Sequence, residues 1–223
     1  DHRALHPFPT RRSSDLGEAL FCDALRPGGR LRAVSTDACG NVYVAEAGTR
    51  VLWRFTPEGE AQWVASELRA PVTGLFWGSG TGGWDKNTLY LGHEGGARVS
   101  EIDLGIPGRP IVTAKRSDTT PATNLPTNLD DVCLLLPSAP VEVNQLEDPQ
   151  GYHDVTFDDR GWMVGSNGFA LVAVSAAGQT QMVASEMGDT QGLAALPDGT
   201  VVTATGVGIV TIAPPGARDT LAP

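Results

Sequence analysis

The chain has 223 residues, with 26 Asp and Glu against 16 Lys and Arg, a formal net charge of −10. That balance argues against a nucleic-acid backbone as partner, because proteins that bind one carry basic footprints. No run approaches the roughly 18 apolar residues of a membrane span, so charge and hydropathy leave open a soluble protein that is secreted or binds cations.

The first 16 residues stand apart. His6-Pro-Phe-Pro-Thr-Arg-Arg-Ser-Ser-Asp-Leu16 shows no apolar periodicity, and its composition is unlike everything after Gly17. It resembles the translation of a sequencing adapter, an artefact expected to be disordered; a natural basic arm is the other reading. On the first reading the natural sequence starts near Gly17 and its true start is missing. Residues 17–29 form a short approach ending in the turn Pro27-Gly-Gly29.

From residue 30 one pattern repeats. Asp37-Ala-Cys-Gly-Asn-Val-Tyr-Val-Ala45 predicts a turn followed by a strand. Asp37 turns back on its own backbone, Gly40 takes a positive φ, and Val42, Tyr43 and Val44 favour a strand. The pattern recurs at Asp85-Lys-Asn-Thr-Leu-Tyr-Leu91, Asp158-Asp-Arg-Gly-Trp-Met-Val-Gly165 and Pro197-Asp-Gly-Thr-Val-Val-Thr-Ala204. A short apolar strand precedes each, over residues 31–35, 72–77, 154–157 and 192–196. Further strands follow the first three, over 51–56, 98–104 and 169–175. Strand, acidic turn, strand, turn, strand at a period of roughly 40–50 residues is the signature of a β-propeller blade.

The expected fold is therefore all-β, an incomplete β-propeller of about four blades. Residues 17–114 hold two blades and residues 151–223 hold two more. Between them, residues 115–150 are rich in Pro and Thr with little periodicity, which predicts an irregular linker or long loop. The final stretch Ala217-Arg-Asp-Thr-Leu-Ala-Pro223 falls where another strand should begin.

Several other features have plain structural readings. The glycine-rich Gly78-Ser-Gly-Thr-Gly-Gly-Trp-Asp85 precedes a strand, whereas a phosphate-cradling loop opens a helix, so it reads as a long turn. Trp53, Trp63, Trp77, Trp84 and Trp162 are expected to pack between blades rather than to form a sugar-stacking platform. His93-Glu94, before Gly95-Gly96, reads as a solvated hairpin turn. Cys22, Cys39 and Cys133 have no metal-ligand spacing; one disulfide plus a free thiol, or three buried thiols, both fit.

A family resemblance rests on Gly151-Tyr-His-Asp-Val-Thr-Phe-Asp-Asp-Arg-Gly161 with Val164-Gly-Ser-Asn-Gly168, and on Gly82-Gly-Trp-Asp-Lys-Asn-Thr-Leu-Tyr-Leu91 with Gly105-Ile-Pro-Gly-Arg-Pro110. These segments resemble the gluconolactonase/senescence-marker-protein and strictosidine-synthase-like superfamily of six-bladed propellers. They are most similar to repeats in secreted or lipoprotein propellers of myxobacteria and their relatives. In that family the His-Asp segment resembles an opening blade and the Gly-Ile-Pro-Gly-Arg-Pro segment a closing one. The reversed order here implies the end of one propeller joined to the start of a second, or a misjoined assembly.

The resemblance also implies a divalent cation, Ca2+ or Zn2+, held at the channel by Glu, Asn and Asp, where hard oxygen ligands suit a metal that polarises a lactone carbonyl. The matching positions here are His153 for the Glu, Thr73 and Gln191 for the Asn residues, and Arg32 for the Asp. An arginine offers no lone pair to a cation. No metal site is therefore predicted, with His153 and Asp154 the only weak candidates for one.

The favoured expectation is a non-catalytic, extracytoplasmic propeller without a cofactor, which binds a small molecule or a protein at its channel face. Arg32, Thr73, His153, Asp154 and Gln191 are the candidates for its ligand mouth. They also suit a second role, tying blade backbones together. The alternative function is a metal-dependent hydrolase of lactones or related esters, using Ca2+ or Zn2+ in a diverged site.

Overall fold

The structure, a computed structural model, describes residues 30–94, 99–109, 142–146, 152–158, 160–196, 198–213 and 217–222. The leader, Cys22, Cys133, the Gly95-Gly96 turn, Asp159 and most of the Pro/Thr-rich segment lie outside these residues.

Sixteen strands form four antiparallel four-stranded sheets, each of which is one blade, and the described residues contain no α-helix. Blade 1 holds β1 (Leu31–Thr36), β2 (Val42–Glu46), β3 (Val51–Phe55) and β4 (Ala61–Ala65). Blade 2 holds β5 (Val72–Trp77), β6 (Thr88–His93), β7 (Ser100–Asp103) and β8 (Asn144–Gln145). Blade 3 holds β9 (Asp154–Phe157), β10 (Trp162–Ser166), β11 (Leu171–Ser175) and β12 (Thr180–Ala184). Blade 4 holds β13 (Gln191–Ala195), β14 (Val201–Thr205), β15 (Gly208–Ala213) and β16 (Ala217–Ala222).

One strand departs from the sequence reading. β8 lies inside the segment expected to be irregular, yet pairs with β7 through Ser100–Gln145 and Glu101–Asn144. β16 occupies the final stretch, where the sequence leads one to expect another strand, and completes the fourth sheet against β15. A two-residue polar strand has no alternation to detect, and its partner lies about 40 residues earlier, so local periodicity is blind to it.

The acidic turns are built as the sequence predicts. Asp37 is fully buried, and its Oδ1 accepts from the backbone N–H of Cys39 and of Asn41, both at 2.9 Å. Its Oδ2 accepts from Asn41 Nδ2 at 2.7 Å and from the Tyr43 hydroxyl at 2.9 Å. Burial, with Asp37 adjacent, pushes the Tyr43 phenol far above its ordinary pKa, so it remains a donor. Asp158 repeats the design in blade 3, accepting from the N–H of Arg160 at 3.0 Å and of Trp162 at 2.9 Å. Arg160 Nε also donates to its Oδ2, at 2.8 Å. Asp85 and Asp198 make shorter versions, each accepting from the N–H two residues on at 2.9 Å.

The blades stack through three apolar cores. Tyr43, Leu52 and Ala65 of blade 1 meet Leu75, Leu89 and Ile102 of blade 2. Trp84 and Tyr90 of blade 2 meet Val155, Met163 and Val172 of blade 3. Val164, Leu171 and Ala173 of blade 3 meet Val201, Val210 and Ile212 of blade 4. Three tryptophans pack between blades as expected, Trp162 against the core shared by blades 3 and 4. Trp77 sits edge-on to Tyr43 with ring centroids 5.5 Å apart, and Trp84 packs against Phe157 at 5.5 Å. Trp63 does not; it is 56% exposed.

The glycine-rich loop has a structural task. It docks on the acidic turn of blade 3, where the Trp84 indole N–H donates to the Gly161 carbonyl at 3.1 Å. Gly82 and Gly161 approach so closely that a Cβ on Gly82 would lie 2.3 Å from the Gly161 oxygen, and one on Gly161 2.5 Å from the Gly82 Cα. Gly161 also has φ +83°, a second reason for glycine there.

Two stability predictions follow from the turns. Asp37→Ala strands four donors of a buried turn and is expected to cost about 3 kcal/mol, whereas Asp198→Ala, at an exposed turn, leaves the melting midpoint close to wild type. Equal losses in thermal melts of the two variants would show that burial of the turn does not set its worth. Gly161→Ala is expected to lower the midpoint markedly, because it loses the positive φ and the contact with Gly82 together. A wild-type melt for that variant would refute the close-approach argument.

Candidate functional site

The innermost strands β1, β5, β9 and β13 lie side by side in that order. Antiparallel pairing sets the start of each against the end of the next strand in its own blade: Leu31 opposite Glu46, Val72 opposite His93, Asp154 opposite Ser166 and Gln191 opposite Ala204. All five candidate mouth residues therefore lie on one rim, together with the loops that follow β2, β6, β10 and β14.

They serve two different purposes. The Thr73 hydroxyl of blade 2 donates to the His153 carbonyl of blade 3. Asp154 Oδ2 accepts from the Gly192 N–H of blade 4 at 2.6 Å. Its Oδ1 faces blade 2, so near Gly74 that a Cβ there would lie 2.5 Å from it. Asp154 is thus held between blades 2 and 4, and Thr73 is committed to the same joint. Burial raises the Asp154 pKa above its ordinary value, opposed by the Gly192 N–H and by His153. The His153 N–H donates to the Ser166 carbonyl at 2.7 Å, and its ring lies beside Gly168. The Thr73 and Asp154 side chains thus bond across blades, whereas His153 contributes only its backbone carbonyl to such a bond and leaves its ring on the rim.

Arg32 and Gln191 are different. Both are exposed, and neither takes part in a described bond between inner strands. The Arg32 guanidinium lies 3.7 Å from the Glu94 carboxylate, with the two side chains 39% and 48% exposed. Gln191 Nε2 donates to Asp189 Oδ2 at 3.3 Å, also in the open. An exposed ion pair of this kind contributes little to stability, so both side chains are available to a ligand.

His93 corrects the sequence reading. It is not in a solvated turn but is the buried last residue of β6. The Ala70 carbonyl accepts from its Nδ1–H at 3.0 Å, which leaves Nε2 to accept from the Ser100 hydroxyl at 2.8 Å. Burial, only partly opposed by Ala70, lowers its pKa and keeps the ring neutral. The glycines after it suggested an exposed turn, and nothing local reveals Ala70 or Ser100 as partners. Glu94 fits the solvated reading. Phe169, 74% exposed in the loop after β10, was also missed as a rim residue.

The donor set does not fit the cation that the family resemblance implies. Arg32 brings a positive charge, the Thr73 oxygen is engaged with a carbonyl, and Asp154 is bound to a backbone N–H between two blades. Among the described residues no group of three or more His, Cys, Asp and Glu is placed to hold a metal. A small cavity of about 80 Å³ opens elsewhere, between blades 3 and 4, walled by Trp162, Val164, Val183, Val201 and Ile212. It contains none of the five rim residues and is not the expected mouth.

No protein-family profile and no curated protein sequence matches the chain. Solved structures do. A catalytically inactive variant of virginiamycin B lyase from Staphylococcus aureus, with quinupristin, matches at TM-score 0.54 and 13% identity, over 89% of this chain and 57% of that one. A gluconolactonase from Xanthomonas campestris matches at TM-score 0.52 and 13% identity, over 84% of this chain and 58% of that one. A protein of unknown function from Bacteroides caccae matches at TM-score 0.52 and 10% identity, over 88% and 63%. The chain spans less than two thirds of the length of each. At such identities the likeness shows the fold, and that fold is a β-propeller.

Proposed function

We propose that this propeller is a non-catalytic binding module that takes a polar small molecule or a protein segment at the rim formed by Arg32, His153 and Gln191. One observation carries the reading: on a rim where Thr73 and Asp154 are locked into the scaffold, Arg32 and Gln191 stay exposed and outside it. Sites are concave and present a few convergent polar groups, and rigid blades supply the concavity. We further propose an extracytoplasmic location. Its support is Cys39, which is disulfide-bonded, the state that oxidising compartments favour.

Hydrolysis of lactones is the second reading, supported by the shared fold with a gluconolactonase. It needs a metal that polarises the carbonyl or a carboxylate free to act as base. Asp154, beside His153, is engaged with Gly192, and Glu94, beside His93, lies against the Arg32 guanidinium.

Mutation separates ligand-binding from scaffold residues. Arg32→Ala and Gln191→Ala are expected to change stability by about 0.5 kcal/mol or less, whereas Thr73→Ala leaves the His153 carbonyl short of a donor and costs about 1–2 kcal/mol. A large drop in melting midpoint for Arg32→Ala or Gln191→Ala would place those residues in the scaffold and remove the basis for the mouth.

Asp154 gives a pH-dependent check. Its folded pKa is raised, so its contribution is fully present below the unfolded pKa and is lost as pH rises through the folded value. Asp154→Asn keeps an acceptor for the Gly192 N–H and carries no charge. That variant is expected to melt higher than wild type at neutral pH, with the gain vanishing in acid, where the wild-type carboxyl is protonated. A lower midpoint at neutral pH would mean that the ionised form is the one the fold favours. Lactone hydrolysis by wild type in Ca2+ or Zn2+, abolished by His153→Ala, would establish the enzyme instead.

A further inference from the structure

The joint between blades 2 and 3 is filled by three aromatic rings. The Trp84 ring centroid lies 5.5 Å from those of Tyr90 and Phe157, which are 5.0 Å from each other. From there the Trp84 indole N–H reaches the Gly161 carbonyl in the acidic turn of blade 3. Ring, apolar wall and turn carbonyl form one small recognition unit, whose occupant is a side chain of the loop before β6.

The joint between blades 3 and 4 has the same frame without the rings. Met163 and Val201 each stand two residues after the turn glycine, opposite Phe157 and Ala195 respectively, so Ala195 takes the place of Phe157. Tyr90 follows Leu89 as Val164 follows Met163; the first of each pair faces the preceding blade and the second the following one. Val164 therefore takes the place of Tyr90. The long loop that carries Trp84 is replaced by a tight turn, where the Gly161 N–H closes on the Asp158 carbonyl at 3.1 Å and Arg160 folds back on the Asp158 carboxylate. The space so left is the cavity of about 80 Å³ walled by Trp162, Val164, Val201 and Ile212, which Arg160 and Gly199 also line. It lies at the acidic-turn end of the sheets, away from the rim.

Gly199 is the counterpart of Gly161. Its N–H closes the turn of blade 4 on the Leu196 carbonyl at 2.9 Å, and the two glycines have φ +82° and +83°. Equal turns aim the glycine carbonyl toward the preceding blade in the same way, and Gly199 is buried on the cavity wall. Asp158 already balances the charge of Arg160, so the cavity suits a neutral ligand.

We propose that this cavity binds a small neutral aromatic molecule with a ring-borne donor, of the indole class, which does in this joint what Trp84 does in the last. Its ring packs on Val164, Val201 and Ile212, and its N–H donates to the Gly199 carbonyl. An engineered apolar cavity of roughly 150 Å³ takes up benzene; this one is smaller but open on one side, so the ring enters with one edge left in solvent. The site is separate from the rim and binds independently of it.

Calorimetric titration of the whole chain with indole, and with benzofuran as the same shape lacking the N–H, tests this. Indole is expected to bind one to one and to raise the melting midpoint as its concentration rises. Benzofuran, which makes no bond to Gly199, should bind about tenfold more weakly. Val164→Phe puts a ring where Tyr90 stands in the neighbouring joint and should abolish indole binding. Circular dichroism confirms that this variant is folded; Val183→Phe, on the half-buried wall of the cavity, replaces it if it is not. No binding of indole by wild type overturns the proposal, as does undiminished binding by the folded, filled variant. Equal affinity for indole and benzofuran overturns it too, because the Gly199 carbonyl would then play no part.

Discussion

The carboxylate of an acidic turn is the interaction on which the rest of this structure depends. At Asp37 one side chain satisfies two backbone N–H groups, an amide and a phenol, all withdrawn from water. Left alone, those groups would each carry the penalty of an unpaired buried donor. Held together, they fix the path from β1 into β2 and therefore the register of the sheet. Since a one-residue slip would move every side chain to the other face, the turn also decides which residues of a blade look forward and which look back. The apolar joints rest on that decision.

The joints in turn determine the rim. Blade 3 is tied to blade 2 through Thr73 and the close approach of Gly82 to Gly161, and to blade 4 through Asp154 and Gly192. The Thr156 hydroxyl adds a further tie, accepting from the Ala195 N–H at 3.2 Å. Polar groups on inner strands thus have structural partners before any ligand arrives. Arg32 and Gln191 have side chains that extend past the joints, and in this they differ from Thr73 and Asp154 although all four sit at the entries of innermost strands.

This division explains what the sequence reveals and what it hides. Asp37, Asp85, Asp158 and Asp198 are legible because an Asx turn, a following strand and in three blades a glycine at positive φ are local events within a few residues. The four blades follow from their repetition. The fourth strand of blade 2 is not legible, because Asn144 and Gln145 acquire strand geometry only by meeting β7. His93 is hidden for the same reason: its partners Ala70 and Ser100 stand 23 and 7 residues away, and neither spacing carries a pattern. The rim candidates were identifiable as a set because each opens an innermost strand. Their separation into tie and tip depends on contacts between residues about 40 to 80 positions apart, and no periodicity encodes those.

The same logic bears on chemistry. A lactonase of this fold would need at its channel either oxygen ligands converging on one cation or a carboxylate free to take a proton. Here the entry of blade 1 presents a guanidinium, the entry of blade 2 a hydroxyl already donated across a joint, and blade 3 a carboxylate that a neighbouring N–H occupies. Freeing Asp154 for catalysis would mean giving up its bond to Gly192, one of the contacts that hold blades 3 and 4 together at the channel. Scaffold and catalytic duties compete for the same atoms at that position, and the geometry favours the scaffold. Recognition through Arg32 and Gln191 makes no such demand, since both side chains lie outside the joints. Rim residues outside the joints can change without loosening the fold, and function is carried by sites placed on a fold rather than by the fold itself.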